Sequence, residues 1–311
     1  MTSILAVVGP TGSGKTALAI EVARRLNTEI ISADSMQVYR GMEIGTAAPT
    51  AEQLAAVKHH FVGVLEPDCE FSAGEFQRQA RMVVDTLNAR GKVAVVAGGS
   101  GLYVNALIDG LFDGPPKDDT IREELHREAE SGAPLYEQLQ SVDPEYAAII
   151  LPGDLRRIVR ALEVYRLTGQ PMSRLHREHR ERTHAYSAVL VALDFPREEL
   201  YRRINERVDA MVAAGFVEEV RALLERGYRS EVERLRSVGF REMAAYIDGK
   251  QTLAEAIETT KQQTRRFAKR QLTWFRADDR IHWLPVTGSS FTEAHVEQAL
   301  RLLQDESASA R

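Results

Sequence analysis

Gly9-Pro10-Thr11-Gly12-Ser13-Gly14-Lys15-Thr16 decides the fold of this chain. The octet fits G-x-x-x-x-G-K-[ST], in which a glycine-rich turn aims successive backbone N–H groups at a phosphate. The apolar run Ile4–Val8 before it reads as a strand, and Ala17 to Leu26 after it is helix-forming sequence. Strand, turn and helix together place an anion at the positive end of a helix. Lys15 adds a point charge for the terminal phosphates, and the Thr16 hydroxyl suits Mg2+. The octet is therefore expected to hold a di- or triphosphate.

Working outward, Glu29–Ala33 and Val93–Ala97 are short apolar runs rich in β-branched residues, with a helical stretch at Gly74 to Ala89 between them. Ala188–Leu193 and Ile281–Leu284 supply a fourth and a fifth strand. Strands alternating with helices imply right-handed crossovers and a doubly wound parallel sheet, an α/β fold of the P-loop NTPase type. That rhythm stops between about Phe112 and Tyr186. A turn-rich stretch (DGPPKDD) there opens a run of helices: Ile121–Ser131, Pro134–Val142, Glu145–Ile150 and Leu155–Leu167. Residues 112–186 are expected to form a mostly helical insertion domain, with 1–111 and 187–311 as the core. After Pro196 the chain reads as Glu198–Ala214, Val217–Arg226, Gly239–Ile247 and a long basic helix from Leu253 to about Phe275. The polar tail from about Asp305 is expected to fray.

The 311 residues suffice for one large or two moderate domains. No apolar run approaches a membrane span, and the first strand begins without a basic leader, so the cytoplasm is the expected compartment. A single cysteine, Cys69, excludes an internal disulfide and a cysteine-rich zinc site, and its setting reads as a loop. Coiled-coil heptads are absent, which leaves a monomer as the expectation. Net charge is −5, yet Lys261 to Arg276 holds six Lys or Arg and no acid. Arg156 to Arg182 holds eight Arg against three Glu. Such local excess suits nucleic acid.

P-loop phosphoryl-transfer enzymes usually carry an Asp at the end of a later strand. Here Val93–Ala97 runs into Gly98-Gly99-Ser100-Gly101 with no acid. The acid at a strand end is Asp34, which the crevice rule for open α/β sheets puts on the same rim as the phosphate loop. A carboxylate there ligates a metal, accepts a proton, or serves the local loop as a cap.

GPTGSGKT, ISADSMQVYRGMEIGTA, AGGSGLYVNAL, DLRRIVRALEVY, LRSVGFREM and KQQTRRFAKRQLTWFR together resemble the bacterial type of tRNA dimethylallyltransferase, from about Ile4 to Leu284. The resemblance implies transfer of a dimethylallyl group from dimethylallyl diphosphate to the exocyclic 6-amino group of the adenine 3′ of the tRNA anticodon. The phosphate loop, with Mg2+ on Thr16 and with Arg207, would then hold a pyrophosphate leaving group. Asp34 matches the general base, which a weakly nucleophilic adenine amine needs. Ser100 matches a hydroxyl near the reaction channel, and capping the next helix is its other reading. tRNA-facing positions implied in the same way are Asp34, Ser35, Met36, Gln37, Ser100, Arg122, Arg156, Arg157, Arg160, Arg236 and Arg241. The eukaryotic zinc finger is not expected in a chain with one cysteine.

The main rival is a small-molecule or nucleoside kinase with the insertion as lid, which leaves the basic run at Lys261–Arg276 unexplained. A nucleotide-dependent RNA-binding switch is the other, and no guanine-reading N-K-x-D motif supports it.

Overall fold

The computed structural model describes residues 4–112, 114–180 and 186–309. The chain divides into two compact units, Met1–Asp109 with Ala185–Arg311, and Gly110–His184. These bounds differ slightly from the 112–186 read from the sequence. Asp113 of the turn-rich stretch and Glu181 and Arg182 of the arginine-rich one lie outside the described residues.

The first unit begins β1 (Ile4–Val8), α1 (Lys15–Arg25), β2 (Ile30–Ser32), α2 (Ala51–Ala56), β3 (His59–His60), α3 (Ala73–Ala89), β4 (Ala94–Gly98) and α4 (Gly101–Ile108). The second unit holds α5 (Asp119–Glu130), α6 (Leu135–Val142), α7 (Pro144–Ala147), α8 (Leu155–Thr168) and α9 (Met172–Arg180). The chain re-enters the first unit at β5 (Ala188–Asp194) and continues α10 (Arg197–Ala213), α11 (Phe216–Glu225), α12 (Arg229–Leu235) and α13 (Phe240–Ile247). It ends with α14 (Leu253–Arg276), β6 (Ile281–Pro285) and α15 (Glu293–Ser309).

The strands form one sheet in the order β3-β2-β4-β1-β5-β6, every neighbouring pair parallel. Parallel strands buried on both faces need apolar residues at every position, and all five of β1 are fully buried. Ile4, Ala6 and Val8 pack on one face with Phe76 of α3, Leu107 of α4 and Phe240 of α13. Leu5 and Val7 pack on the other with Leu18 of α1, Ile204 of α10 and Val296 of α15. Because β2, β4 and β1 are adjacent and parallel, their C-terminal ends emerge along one edge. Asp34, Gly99-Ser100 and the phosphate loop follow those three ends.

The structure departs from the sequence reading at β3 and at the C-terminal tail, and it adds the helices α2, α9 and α12, which that reading did not give. β3 has two residues, paired Ile30 to His59 and Ile31 to His60, and its polar sequence hid it. The expected frayed tail is instead helix to Ser309, with Leu303 buried and the Ser307 Oγ donating to the Leu303 carbonyl at 2.8 Å.

The second unit has its own core of Leu125, Leu139, Ile158 and Leu162. Glu163 is fully buried within it. It accepts from Arg122 Nε at 2.9 Å, Arg160 Nη1 at 2.8 Å and the Asp118 N–H at 2.7 Å. Burial opposes the Glu163 charge, but those donors prevail and hold its carboxyl below the usual range.

Candidate active site

Gly12 and Gly14 adopt φ of 82° and 83°, left-handed conformations that glycine reaches without a Cβ penalty. They turn the chain so that α1 starts at Lys15 with its first N–H groups lacking acceptors inside the helix. Arg203 of α10 supports the turn from behind: its Nε donates to the Gly12 carbonyl at 2.8 Å, and its guanidinium lies 4.7 Å above the Phe195 ring. Arg207, one helical turn on, faces the loop.

Gly12, Gly14, Lys15 and Arg207 line a cavity of about 490 Å³ together with Asp34, Ser35, Met36, Gln37, Ser100 and Arg236. Within the octet, Thr11, Gly12, Gly14, Lys15 and Thr16 face it. The sequence reading gave Gly9, Pro10 and Ser13 to the phosphate as well, and these three lie outside the lining of this cavity. Ser13 is fully buried, its N–H donates to the Pro10 carbonyl at 3.3 Å, and Pro10 and Ser13 line a separate cleft with Leu193 and Phe195. Gly9 is buried at the base of the turn, where a Cβ would meet Ser13 Oγ at 3.4 Å.

Charge at the phosphate loop is strongly felt. Burial, and then the Arg207 cation, push the Lys15 ammonium down to about 8, while Asp34 pulls the other way. Burial likewise lowers Arg207, again opposed by Asp34. Two desolvated cations beside one carboxylate leave an excess of positive charge suited to an anion.

Asp34 and Ser100 are each set by local structure. Asp34 Oδ1 accepts the Met36 N–H at 2.9 Å, so the loop-capping reading holds for one oxygen. Ser100 stands at the N-terminal boundary of α4 yet caps nothing. Its Oγ instead accepts the Ser35 N–H at 3.1 Å. Gln37 is pinned by the Ser32 hydroxyl, which donates to its Oε1 at 3.0 Å, and by the Ala47 carbonyl at 3.3 Å from its Nε2.

The remaining candidates are dispersed. Arg241 is exposed beside Arg229, Glu233 and Asp248, away from the cavity. Arg122, Arg156, Arg157 and Arg160 belong to the second unit, where Arg122 and Arg160 bind Glu163 and Arg157 Nε lies 3.4 Å from Asp154. Arg156 is exposed.

Sequence reasoning missed several residues. Arg203 was legible, since it sits four residues from Arg207 on one helix face. Glu219 of α11 was not: it accepts the Ile44 N–H at 2.7 Å and the Gly45 N–H at 2.8 Å, fixing a loop whose Gly45, Thr46 and Ala47 line the cavity. Burial raises its carboxyl to about 7. Gln271 is buried and joins Thr11 to Gly99, and Phe267 and Arg270 line the wall. Three of the six cations in the basic run of α14 serve the fold: Lys261 pairs with Asp209 at 2.6 Å, Arg265 reaches Asn205 at 2.5 Å, and Arg276 pairs with Asp194 at 2.6 Å. Arg266, Lys269 and Arg270 are exposed, as are the aromatic rings of Phe267 and Trp274.

The family model for IPP transferases matches residues 37–278. A tRNA dimethylallyltransferase of Syntrophobacter fumaroxidans is 48% identical over 282 residues, covering 90% of this chain and 82% of that protein. One from Geobacter sulfurreducens is 46% identical over 285 residues, covering 91% and 92%. The crystal structure of a full-length tRNA isopentenylpyrophosphate transferase from Bacillus halodurans is similar at a TM-score of 0.72 and 38% identity, over 99% of both chains. A eukaryotic dimethylallyltransferase acting on tRNA gives a TM-score of 0.82 at 27% identity, over 99% of this chain and 80% of that one. This chain belongs to the tRNA dimethylallyltransferase family.

Proposed function

We propose that this protein transfers a dimethylallyl group from dimethylallyl diphosphate to the exocyclic 6-amino group of the adenine 3′ of a tRNA anticodon, releasing pyrophosphate. The observation that carries this reading is one cavity holding Lys15, Thr16 and Arg207 at a helix N-terminus together with the carboxylate Asp34. Breaking the C–O bond leaves negative charge on pyrophosphate. Lys15, Arg207 and the first-turn N–H groups of α1 are prearranged where that charge develops. The amine forms the new C–N bond and loses a proton, and the Asp34 carboxylate is the base in reach of the same cavity.

The donor set also fits a magnesium ion carried mainly by phosphate oxygens. We assign the Thr16 hydroxyl as the ion's protein ligand, with Asp34 in the same cavity. When bound, the ion would neutralise part of the leaving group's charge.

The face of α14 supports the RNA half of the reading. Its exposed Arg266, Lys269 and Arg270 offer phosphate contacts, and Phe267 and Trp274 offer surfaces on which unstacked bases lie. Ser35, Met36, Gln37, Ser100 and Arg236 form the part of the cavity wall assigned to the flipped adenine and its neighbours. Arg156, Arg157 and Arg241 are assigned to phosphates further along the tRNA, with Arg122 and Arg160 contributing through the surface left to them by Glu163. No described helix is long and apolar enough to cross a membrane, and we assign a cytoplasmic monomer.

The test is transfer of label from dimethylallyl diphosphate to unmodified tRNA by the purified protein with Mg2+. ATP hydrolysis or phosphate transfer to a small acceptor, without labelled tRNA, would favour a kinase instead.

A further inference from the structure

Gln271 has 7% of its surface exposed, and both ends of its carboxamide are engaged by backbone. Oε1 accepts the Thr11 N–H at 2.9 Å, and Nε2 donates to the Gly99 carbonyl at 2.9 Å. Thr11 belongs to the phosphate loop. Gly99 precedes Ser100, whose Oγ holds the Ser35 N–H beside Asp34. One side chain therefore joins the turn around the leaving group to the rim that carries the carboxylate. The fit is close: a Cβ on Gly99 would stand 2.4 Å from Gln271 Nε2 and 3.3 Å from the Gly9 carbonyl oxygen. Arg270 and Phe267, on the neighbouring turn of the same helix, line the cavity.

We infer that Gln271 is a positioning residue for the transfer reaction, fixing the phosphate loop against the Asp34–Ser100 rim so that leaving group and proton acceptor keep one spacing. The inference rests on the transferase reading above. Gln271 also lines the cavity, and its two backbone hydrogen bonds are the route by which it acts on the site, through Thr11 and Gly99. Small displacements of reacting groups cost rate more than they cost binding. Glutamate at this position separates the two ends. It keeps the acceptor for Thr11, and it donates to the Gly99 carbonyl only when its carboxyl is protonated.

The experiment compares the full-length protein with Gln271→Ala and Gln271→Glu. Single-turnover transfer from dimethylallyl diphosphate to tRNA is followed across pH, and binding of inorganic pyrophosphate with Mg2+ is measured by calorimetry. Gln271→Ala is expected to transfer about 10- to 100-fold more slowly while pyrophosphate affinity stays within about threefold. Gln271→Glu is expected to be slow at high pH and to recover toward the wild-type rate, at matched pH, as its carboxyl takes up a proton. Should the alanine variant not fold, the near-isosteric glutamate variant decides alone. Parallel loss of binding and rate, without recovery at low pH, would overturn the positioning role. So would unchanged transfer in both variants. A wild-type protein that transfers nothing overturns the transferase reading and this inference together, whereas active wild type with no such split overturns the inference only.

Discussion

The Ser35 N–H donates to the Ser100 hydroxyl at 3.1 Å, tying the loop after β2 to the turn after β4. Those loops are 65 residues apart in sequence, and they carry the carboxylate and the glycine turn of the site. Ser100→Ala leaves the Ser35 N–H without its acceptor. It is expected to lower stability by about 1–2 kcal/mol and to slow transfer with little change in pyrophosphate affinity. Chemical denaturation and calorimetry on one preparation check both halves.

Asp34→Asn keeps an oxygen for the Met36 N–H, so the loop is retained. Removing the proposed base is expected to reduce the transfer rate by about 10² to 10⁴. Diphosphate affinity should hold or rise, because Asp34 is the negative charge beside Lys15 and Arg207. Equal loss of affinity and rate would show that Asp34 acts by holding the metal.

Lys15 gives a signed pH dependence. In the free protein its ammonium sits near 8, and a bound diphosphate favours the charged form and raises it. Affinity should therefore be fully present below about 8 and weaken as pH rises through that value, with proton uptake on binding. Lys15→Arg, charged throughout this range, should flatten the profile.

Glu163 anchors the second unit. Its carboxyl lies below the usual range, so its contribution is present at neutral pH and is lost as pH falls through that lowered value. Glu163→Ala strands two arginines and is expected to destabilise the fold by about 3–5 kcal/mol. A melting curve with near-wild-type stability would contradict the network. Glu163→Gln should lose less, because one oxygen still accepts.

Glu219 has the opposite sign. Burial raises its carboxyl to about 7, with Glu43 adding to the shift and the Ile44, Gly45 and Glu43 N–H groups opposing it. The folded state then holds a proton that the unfolded chain releases, so stability should decline as pH rises from the ordinary carboxylate range to about 7. Glu219→Gln should remove that slope. An unchanged slope in urea denaturation curves would contradict the assignment.

Much of the core was legible because its signals are local. Gly9–Thr16 carries its own turn chemistry, and Ile4–Val8 and Ala94–Gly98 are continuous apolar runs of the kind a parallel sheet buries. Asp34 and Ser100 were legible as residues following strand ends. Their mutual tie was not, since nothing in sequence brings Ser35 to Ser100. Gln271 lay within the quoted basic helix, yet its two backbone partners are 260 and 172 residues away. Charge counting also could not separate the exposed cations of α14 from the paired ones, because ion pairing with distant acids cannot be read from a local run. Likewise, the ion pairs of Arg122 and Arg160 with Glu163 were not legible, because nothing local in the sequence brings Arg122 to a carboxylate 41 residues away.

The most direct measurement incubates the purified protein with Mg2+, labelled dimethylallyl diphosphate and a tRNA carrying adenine 3′ of its anticodon, beside the Lys15→Ala variant. Label is expected in the tRNA, located on that adenine, and none with the variant. Unlabelled tRNA alongside ATP turnover, or label that persists in Lys15→Ala, would contradict the transferase reading.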